Sequence, residues 1–464
     1  MQGKRLFRMP TDRNILDNAL LTDLYQLTML QGYFDQRMEE TATFEFFVRK
    51  MPVKRNFLVA AGLEQVLDYL TNLRFREAEL KWVSDHGAFR PDFVRYLETF
   101  RFKGDVDAMP EGTIFFPDEP ILRVTAPIAQ AQLVESRVIN LLHFETLIAS
   151  KAARSVLMAP GKLLVDFGFR RAHGAEAGLL AARASYLAGF AGSATVLAAS
   201  LYSIPVFGTM AHSFVQAHDD EATAFEHFAH ALPQNVILLI DTYDTEAAAE
   251  KVVRLAPRLA HDGIKIKGVR LDSGDLGDHA FKVRRILDSG GLGEVTIFAS
   301  GSVDEYVVER LMRQNAPIDG FGIGTRLDTS ADAPYLDCAY KLVEYAGKAR
   351  RKRSEGKVLW PGRKQVFRTY DSAGVMVEDT LTLEGDKSDG VALIAPVMKH
   401  GERVATPALK QSRQWALEQL KKLPDGLKQL ETAPAYHVRV SQAVQLLAQE
   451  VDARQSHYDD RQDR

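Results

Sequence analysis

Short apolar runs alternate with amphipathic stretches from about residue 160 to residue 324. Six of the runs are almost continuously apolar: KLLVDFGF, IPVFGTM, NVILLID, IKIKGVRL, VTIFAS and GFGIG. Runs of this kind are typical of parallel strands that are buried on both faces. The pattern predicts six consecutive β–α units, as in a barrel or a doubly wound sheet. We favour a barrel because no glycine-rich dinucleotide fingerprint follows an early strand.

The ends of two helices can be predicted from this part of the chain. SVDE at 302–305 predicts a capping box between Ser302 and Glu305, in a helix that stops before Pro317. DTEAAAEKVVRLAPRLAHDG predicts a second helix, with Asp244 or Thr245 as the N-cap and Gly263 at its end.

The two ends of the chain follow a different pattern. TATFEFFVRKMP and GTIFFPDEPILRVTAP predict strands of a mixed sheet, with a helix at LEQVLDYLTNL between them. After about residue 340 the chain is basic and turn-rich, then β-like, then helical at AYHVRVSQAVQLLAQEV. We therefore predict a barrel domain over 138–345, flanked by a domain that is built from 1–137 and 346–464.

Composition indicates an ordinary globular protein but does not indicate which reaction or ligand it serves. The chain has 464 residues, 46% hydrophobic and 26% charged, and a net charge of −3, which gives no reason to expect a nucleic acid or an anionic membrane as partner. Cys338 is its only cysteine, so we expect no intrachain disulfide and a reducing compartment. The most apolar stretch, at 178–202, is interrupted by Arg183 and by Gly and Ser, so it predicts closely packed core helices. We expect a soluble, cytoplasmic protein.

Polar or glycine-rich groups follow all six predicted strands. Parallel α/β folds bind ligands at the carboxyl ends of their strands, so these groups are candidates for a site. In chain order they are Phe169, Arg170, Arg171 and His173; then His212; then Asp241; then Arg270, Asp272 and Asp275; then SGS at 300–302; and last GIGTRLDTS. Any one of them is compatible with a solvated loop, and His212 alone with a core or capping histidine. Their convergence favours a functional site.

The residue types at these strand ends indicate an anionic ligand. The turns SGS and GIGT offer backbone N–H groups and a helix N-terminus to an anion. Arg170, Arg171 and Arg270 add planar donors that suit phosphate or carboxylate.

Acidic and aromatic residues extend this prediction. Asp272 and Asp275 are suited to ribose hydroxyls or to a hydrated Mg²⁺ ion, and Phe167 and Phe169 to stacking on a ring. The strand ends together predict one Mg²⁺-using site for a sugar phosphate and a flat ring.

Eight segments carry a resemblance to a known family. They are LLTDLYQLTMLQGYF, DFGFRRAHG, GTMAHSF, DTYDT, GVRLDSGDL, FASGSVDEY, GFGIGTRLDTS and PGRKQVFR, in order from about residue 20 to residue 370. Together they resemble the nicotinate phosphoribosyltransferase family. The resemblance implies an irregular α/β barrel beside an α+β domain made from both chain ends. It also implies synthesis of nicotinate mononucleotide and pyrophosphate from nicotinate and phosphoribosyl pyrophosphate, with coupled ATP hydrolysis, in NAD salvage.

The resemblance assigns the residues that carry the chemistry. It implies that His212 takes the γ-phosphoryl group of ATP, since a neutral imidazole is a competent nucleophile. Asp241 is then expected to orient the imidazole or to hold Mg²⁺; its alternative role is the N-cap of the following helix. Phe167 is expected to stack on the pyridine ring, and Tyr25 of the partner subunit to close its other face. The resemblance thus implies a homodimer with shared active sites.

Further roles concern the anionic groups of the substrates. Arg270 and Arg170 are expected to meet the carboxylate and the phosphate, and Asp272 to hold the ribose hydroxyls. The expected binding residues for the 5′-phosphate follow the last two strands: Ser300, Gly301, Gly324 and Thr325. The basic stretch from Lys348 to Lys364 either closes over ATP or pyrophosphate or is a solvated loop.

Three alternatives to this function stay open. The first is the same chemistry on nicotinamide; against it, Ala194 stands where the amide-using relatives carry an aspartate. The second is a quinolinate phosphoribosyltransferase, which uses a similar barrel without the ATP-linked histidine. The third is a catalytically idle protein that binds NAD metabolites, against which the joint presence of His212, Asp272 and the glycine turns argues.

Overall fold

The computed structural model describes residues 18–352 and 359–462, and side chains as far as residue 455. The described strands, in chain order, are β1 (Thr41–Lys50), β2 (Leu58–Val59), β3 (Asp105–Ala108), β4 (Ile114–Phe115), β5 (Leu122–Pro127), β6 (Leu163–Asp166), β7 (Gly192–Ser193), β8 (Val236–Leu239), β9 (Ile266–Leu271), β10 (Thr296–Ala299), β11 (Gly320–Ile323), β12 (Asp337–Tyr345), β13 (Lys348–Ala349), β14 (Lys364–Tyr370), β15 (Met376–Leu383), β16 (Val391–Ala392), β17 (Ala395–Lys399), β18 (Glu402–Arg403) and β19 (Val438–Val440).

The described α-helices are α1 (Leu24–Asp35), α2 (Leu63–Asn72), α3 (Glu77–Asp85), α4 (Pro91–Glu98), α5 (Ile128–Leu133), α6 (Glu135–Met158), α7 (Ala175–Leu187), α8 (Val196–Tyr202), α9 (His212–Gln216), α10 (Glu221–Ala231), α11 (Thr245–His261), α12 (Leu276–Ser289), α13 (Glu305–Arg313), α14 (Thr325–Asp328), α15 (Leu409–Lys422) and α16 (Gln442–Gln462). Within the part of the chain that the structure describes, no helix combines the length and the apolar character needed to cross a bilayer.

A six-stranded parallel sheet forms the centre of the molecule. Its strand order is β7-β6-β11-β10-β9-β8, and it curls into a half-barrel with helices outside it. Five of its strands lie in the apolar runs that predicted them, because those runs are buried on both faces. The predicted irregular α/β barrel is confirmed in this curled, open form.

The prediction for the second strand is wrong. The strand beside β6 is the short β7, and the apolar run IPVFGTM contributes only a bridge from Val206 to Ser193. Pro205 has no N–H to offer a ladder, and Val206 is 55% exposed, so this run is not a buried strand. His212 therefore does not follow a strand directly; it is the first residue of α9.

A seven-stranded antiparallel sheet joins the two ends of the chain. Its order is β13-β12-β1-β5-β3-β17-β18, so three central strands from before residue 130 are flanked on each side by two strands from after residue 335. In β1 all residues from 42 to 48 are buried, because both faces of this strand are covered. The expected α+β domain built from both chain ends is confirmed. The boundaries 1–137, 138–345 and 346–464 stay a prediction.

A third sheet, β16-β14-β15-β19, packs against the C-terminal helix α16, and Arg368 of β14 donates to Gln419 of α15 at 3.3 Å. The predicted helix AYHVRVSQAVQLLAQEV is wrong in its first part, because Val438–Val440 is a strand that pairs in parallel with β15. The helix begins only at Gln442.

Helix α11 begins as predicted, with Asp244 accepting a hydrogen bond from the backbone N–H of Ala247 at 2.7 Å. The capping box predicted at 302–305 is wrong. Asp304 is the N-cap of α13 and accepts from the backbone N–H groups of residues 306 and 307. Ser302 has a φ of +54°, which turns it away from a capping geometry, and Glu305 pairs with Lys151 instead.

Two large hydrophobic cores meet along α6. Ile148 and Ala149 of this helix lie in the core of the half-barrel, and Val138 and Leu141 lie in the core of the seven-stranded sheet. The 24-residue helix thus holds the flanking domain against the parallel sheet, and leaves the carboxyl ends of the strands free for a site.

Candidate active site

A cavity of about 300 Å³ lies at the carboxyl ends of β6, β9, β10 and β11. Its lining residues are Phe167, Arg170, Arg171, Arg270, Asp272, Ser300, Gly301, Ser302, Val303, Gly322, Gly324, Thr325 and Arg326. Four of these side chains are arginines and one is a carboxylate, so the cavity favours an anion. The structure brings together most of the groups expected at the strand ends.

A larger cavity of about 520 Å³ lies beside α2, α7 and α8, away from these strand ends. Its deepest charge, Arg183, is 2% exposed and is held by Glu111 and Glu145 of the same chain. These charges neutralise one another, so the smaller cavity is the better candidate for anionic ligands.

Arg270 is held rigidly at the centre of the site. Its Nε donates to Ser300 Oγ at 3.0 Å, its Nη1 to Thr209 Oγ1 at 2.8 Å and to the carbonyl of Met210 at 3.3 Å, and its Nη2 to Asp272 Oδ1 at 3.1 Å. These contacts leave at most one of its five N–H groups for a ligand. Arg270 is therefore a fixed charge, and the exposed Arg170 has more freedom to bind a substrate anion.

Asp272 stays ionised in this setting. Burial opposes its charge, but hydrogen bonds from Ser300 and Arg270 and the positive charge of Arg270 lower the pKa of the Asp272 carboxyl below its usual range. Oδ1 accepts both of these hydrogen bonds, and Oδ2 faces His212. Asp272 thus offers one carboxylate oxygen to ribose hydroxyls or to a cation.

Phe167 forms the aromatic wall of the cavity. Its ring centroid lies 5.6 Å from the Arg270 guanidinium carbon and 5.7 Å from the ring of Phe298. A flat ring that stacks on Phe167 would lie close to a fixed positive charge. Phe169 is 48% exposed and does not line the cavity.

Two glycine turns bring backbone close to the ligand space. Gly301 has a φ of +84°, and a Cβ there would lie 1.8 Å from the carbonyl oxygen of Asp272. Gly324 packs against the backbone of Phe167, where a Cβ would lie 2.7 Å from its carbonyl oxygen. Both positions require glycine for close approach.

The helix N-termini contribute less to this site than the sequence predicted. The free N–H groups of α13 are already capped by Asp304, and α14 is only four residues long. Anion binding therefore rests on the turns and the arginines rather than on helix dipoles.

His212 lies beside two carboxylates. Its Nε2 is 4.0 Å from Asp241 Oδ1 and 3.9 Å from Asp272 Oδ2, and its Nδ1 is 3.2 Å from Thr242 Oγ1. The imidazole is 38% exposed, so a ligand can reach it. Asp241 does not cap the following helix, since Asp244 has that role.

The carboxylate oxygens near His212 suit a divalent cation. Asp241 Oδ1 is buried and has no hydrogen-bond partner among the described residues, and Asp272 Oδ2 points to the same space. Mg²⁺ is commonly held by one or two carboxylates together with substrate phosphates and water, so Asp241 and Asp272 fit it. No group of three or more potential metal ligands is present in the described part of the chain. Asp275 does not fit, because its carboxylate caps α12 through Gly277 and Asp278.

Several expected residues lie outside the cavity. Tyr25 is 46% exposed on α1 and does not line the cavity of its own chain. His173 is exposed and is not part of the lining either. Within the basic stretch, Lys364 is buried and pairs with Glu45 at 2.6 Å, so it is not available to a ligand, and residues 353–358 lie outside the described residues.

Sequence reasoning missed Arg326 and Thr209. Arg326 lines the cavity and donates to Asp304 at 2.7 Å, which places a guanidinium between the two glycine turns. Its position directly after Thr325 in GIGTRLDTS was the available signal. Thr209 is three residues before His212, and only the fold brings it to Arg270.

Comparisons with known proteins agree along the chain. Residues 20–143 match the nicotinate phosphoribosyltransferase N-terminal domain, residues 163–354 match the nicotinate phosphoribosyltransferase family, and residues 387–448 match the nicotinate phosphoribosyltransferase C-terminal domain.

Individual relatives are similar over most of their length. A nicotinate phosphoribosyltransferase of Mycobacterium tuberculosis is 49% identical over 429 residues, which cover 92% of each chain. One of Bacillus subtilis is 40% identical over 363 residues, covering 76% of this chain and 74% of the relative. The crystal structure of human nicotinic acid phosphoribosyltransferase superimposes with a TM-score of 0.83 at 28% identity, covering 93% of this chain and 99% of the human chain.

Proposed function

The chain belongs to the nicotinate phosphoribosyltransferase family, and we propose that it joins nicotinate to phosphoribosyl pyrophosphate in NAD salvage. The products are nicotinate mononucleotide and pyrophosphate. One observation carries the proposal: the aromatic face of Phe167 lies 5.6 Å from a fixed guanidinium, in a cavity that also holds a carboxylate and two glycine turns. A pyridine acid and a ribose phosphate need these groups together.

The lining of the cavity suggests one orientation for the substrates. The pyridine ring stacks on Phe167, and its carboxylate pairs with Arg170 and the remaining N–H of Arg270. The ribose hydroxyls donate to Asp272, and the 5′-phosphate binds the turns at Ser300–Gly301 and Gly324–Thr325.

In the reaction the ring nitrogen of nicotinate bonds to C1 of the ribose as the bond from C1 to the pyrophosphate oxygen breaks. The electron pair of that bond leaves with pyrophosphate, whose charge the arginines of the cavity stabilise. A bound Mg²⁺ would neutralise part of the same charge, held by Asp241 and Asp272. Asp272 also stabilises positive charge that develops on the ribose, because its carboxyl stays ionised.

His212 is the proposed phosphoryl acceptor from ATP. The two carboxylates near Nε2 favour a proton on that nitrogen, which leaves the lone pair of Nδ1 free to attack the γ-phosphorus. Thr242 lies within hydrogen-bond distance of Nδ1 and holds the ring in orientation until ATP binds. The bond from the γ-phosphorus to the bridging oxygen breaks, and ADP leaves. Hydrolysis of the phosphohistidine then favours product release.

A homodimer completes the site in this proposal. Leu21, Leu24 and Tyr25 are exposed near α1, and Val196, Leu197 and Leu201 are exposed on α8. Exposed apolar side chains in such groups suit an interface with a second copy of the chain. Tyr25 of the partner subunit then stacks on the ring opposite Phe167. A cytoplasmic location belongs to the proposal as well, since the chain has a single cysteine.

A substrate panel tests this function. The protein is incubated with phosphoribosyl pyrophosphate, Mg²⁺ and one of nicotinate, nicotinamide or quinolinate, each with and without ATP, and the products are separated by chromatography. We expect nicotinate mononucleotide from nicotinate, at a rate that ATP raises. Turnover of quinolinate with release of CO₂, preferential turnover of nicotinamide, or no turnover with any of the three would contradict the proposal.

A further inference from the structure

Two buried carboxyl groups, those of Asp166 and Asp328, both lie against Gly168, directly after the cavity residue Phe167. Asp166 ends β6 and is 0% exposed, and Asp328 ends α14 and is 1% exposed. Neither side chain lines the cavity, but Phe167, which follows Asp166, and Gly324, whose carbonyl accepts from the Asp328 backbone N–H at 3.0 Å, both do. The pair therefore lies between the wall for the ring and the turn for the phosphate.

Asp166 is an acceptor with defined partners. Its Oδ1 accepts from the backbone N–H of Gly168 at 2.7 Å, and its Oδ2 accepts from Ser193 Oγ at 2.6 Å. The first contact fixes the backbone on one side of Phe167. The second ties β6 to β7, next to Ala194, whose N–H donates to the Asp166 carbonyl at 2.8 Å.

Asp328 has no such partners. Neither of its carboxyl oxygens has a hydrogen-bond donor among the described residues, although both are buried. Its carboxyl group lies against Gly168, where a Cβ would come within 2.1 Å of the carboxyl carbon. An ionised carboxylate buried without a hydrogen-bond donor is strongly unfavourable, so the neutral acid is favoured.

The protonation of the two groups is coupled. Burial, the charge of Asp166 and hydrogen bonding with it raise the pKa of Asp328 well above its usual range. Burial also raises the pKa of Asp166, although bonds from Ser193, Gly168 and Asp328 counteract this effect. The charged side chains nearest this pair, on α14 and on the elements packed against it, have other partners or face the cavity: Arg326 pairs with Asp304, Lys151 and Arg154 of α6 pair with Glu305, Arg183 of α7 pairs with Glu111 and Glu145, and Arg170 and Arg171 line the cavity.

We propose that Asp328 is a protonated acid that donates its hydrogen to Asp166, and that this pair positions Phe167 against the Gly324–Thr325 turn. Asp166 and Asp328 are positioning residues in this arrangement, since neither touches a substrate. Gly168 is required because any side chain would occupy the space of the Asp328 carboxyl. The expected effect on nicotinate binding rests on the proposed function. The proton shared by Asp166 and Asp328 is independent of that function.

An infrared measurement tests the proton by itself. Protein carrying ¹³C-labelled aspartate is compared with the Asp328→Asn variant, so that aspartic acid bands separate from those of Glu119 and Glu145, which are also buried. We expect the wild type at neutral pH to show the carbonyl stretch of a protonated aspartic acid, and the variant to lack it. Absence of that band in the wild type, or its persistence in the variant, would overturn the proposal whatever the substrate is.

Kinetics test the positioning. Asp328→Ala is expected to raise KM for nicotinate about tenfold, the scale of one lost hydrogen bond that involves a charged group, with a smaller change in KM for phosphoribosyl pyrophosphate. Asp328→Asn is expected to recover most of this loss, because its amide N–H can donate to Asp166. The matched control is Asp262→Ala, which removes an exposed carboxylate at the end of α11.

The pH dependence of KM for nicotinate distinguishes loss of the shared proton from a merely structural effect of the Asp328 substitutions. Wild-type KM for nicotinate is expected to rise toward alkaline pH as the shared proton is lost, and that of Asp328→Asn to stay flat because its amide does not ionise over this range. An Asp328→Ala variant that folds and keeps the wild-type KM would overturn the positioning role. If that variant does not fold, an Asp328→Asn profile parallel to the wild type would overturn it instead.

Discussion

Oδ1 of Asp241, buried and without a hydrogen-bond partner among the described residues, lies 4.0 Å from Nε2 of His212. The other oxygen of Asp241 accepts from Ser273 Oγ at 2.6 Å and from the backbone N–H of Asp272 at 3.0 Å. One carboxylate thus links the histidine to the loop that carries Asp272. A phosphoryl group on His212 would repel the Asp241 carboxylate or bind a cation together with it. Either effect would be transmitted to the ribose site by Asp241, because its other oxygen is bonded to the loop of Asp272.

Choice of the ring is expected to favour the acid over the amide. Arg170 and Arg270 can pair with a carboxylate, and Ala194, next to the Asp166 carbonyl, brings no opposing anion. We expect kcat/KM for nicotinate to exceed that for nicotinamide by at least ~100-fold, about 2.7 kcal/mol. Ala194→Asp should lower kcat/KM for nicotinate, because the new carboxylate repels that of the ring. The same change should raise kcat/KM for nicotinamide, because the carboxylate accepts from the amide NH₂. Similar kcat/KM values for the two rings in the wild type would contradict this expectation.

The proposed sharing of the site between two subunits predicts complementation between variants. Arg270→Ala dimers should be nearly inactive, whereas Tyr25→Ala dimers should lose activity about 2- to 13-fold, because aromatic stacking contributes roughly 0.5–1.5 kcal/mol. A mixed dimer has one site with both changes and one intact site. Random pairing gives about half mixed dimers, so activity should recover toward ~25% of wild type after subunit exchange. If mass spectrometry confirms subunit exchange but activity does not recover, Tyr25 acts in its own chain and the site is not shared.

The glycine turn after β10 gives a prediction with a matched control. Gly301→Ala adds a Cβ that would meet the Asp272 carbonyl at 1.8 Å, at a φ of +84°. We expect a stability loss of roughly 1–3 kcal/mol and a fall in kcat/KM of at least tenfold, because the clash displaces Asp272. Gly263→Ala has a similar φ of +74° but no atom within 4 Å. Gly263→Ala should lose stability but keep the kcat/KM of the wild type. Equal kcat/KM values in the two variants would show that the turn at Gly301 does not shape the site.

Acid stability depends on Asp332, which joins α6 to the flanking domain. Burial raises its pKa, but Arg55 and Lys151, whose Nζ lies 2.6 Å away, outweigh burial and hold the pKa well below the usual range. A carboxyl with a lowered folded pKa stabilises the fold above its unfolded pKa, about 3.9, and loses this contribution as the pH falls through the folded value. The Tm of Asp332→Asn should therefore lie below wild type at neutral pH and approach it in acid. A gap that does not change with pH would show that the ion pairs contribute nothing.

The sequence predicted those features that depend on the residues of a single short segment. The five apolar runs that form parallel strands are buried on both faces, and Asp244 caps α11 by a contact three residues away. IPVFGTM has the same apolar composition as these strands, but its only ladder contact is with Ser193, and periodicity does not report such partners.

The candidate site could likewise be predicted only where it depends on local sequence and on strand topology. Groups at the strand ends converge as parallel topology requires, and Phe167, Arg270 and Asp272 line one cavity; their roles stay a prediction. The proposed contact between Asp166 and Asp328 joins distant segments, and the proposed role of Tyr25 depends on a second chain. A single sequence contains no local signal for either.

The coupling of ATP to synthesis through His212 is the central claim, and one measurement addresses it directly. Wild type and His212→Ala are assayed for nicotinate mononucleotide with and without γ-³²P-labelled ATP, and acid-labile label on the protein is counted, with the exposed His230→Ala as control. The expected result is label and ATP stimulation in wild type and His230→Ala, and neither in His212→Ala, which keeps its ATP-independent synthesis. Full stimulation by ATP in His212→Ala would contradict the claim and leave the histidine a structural role.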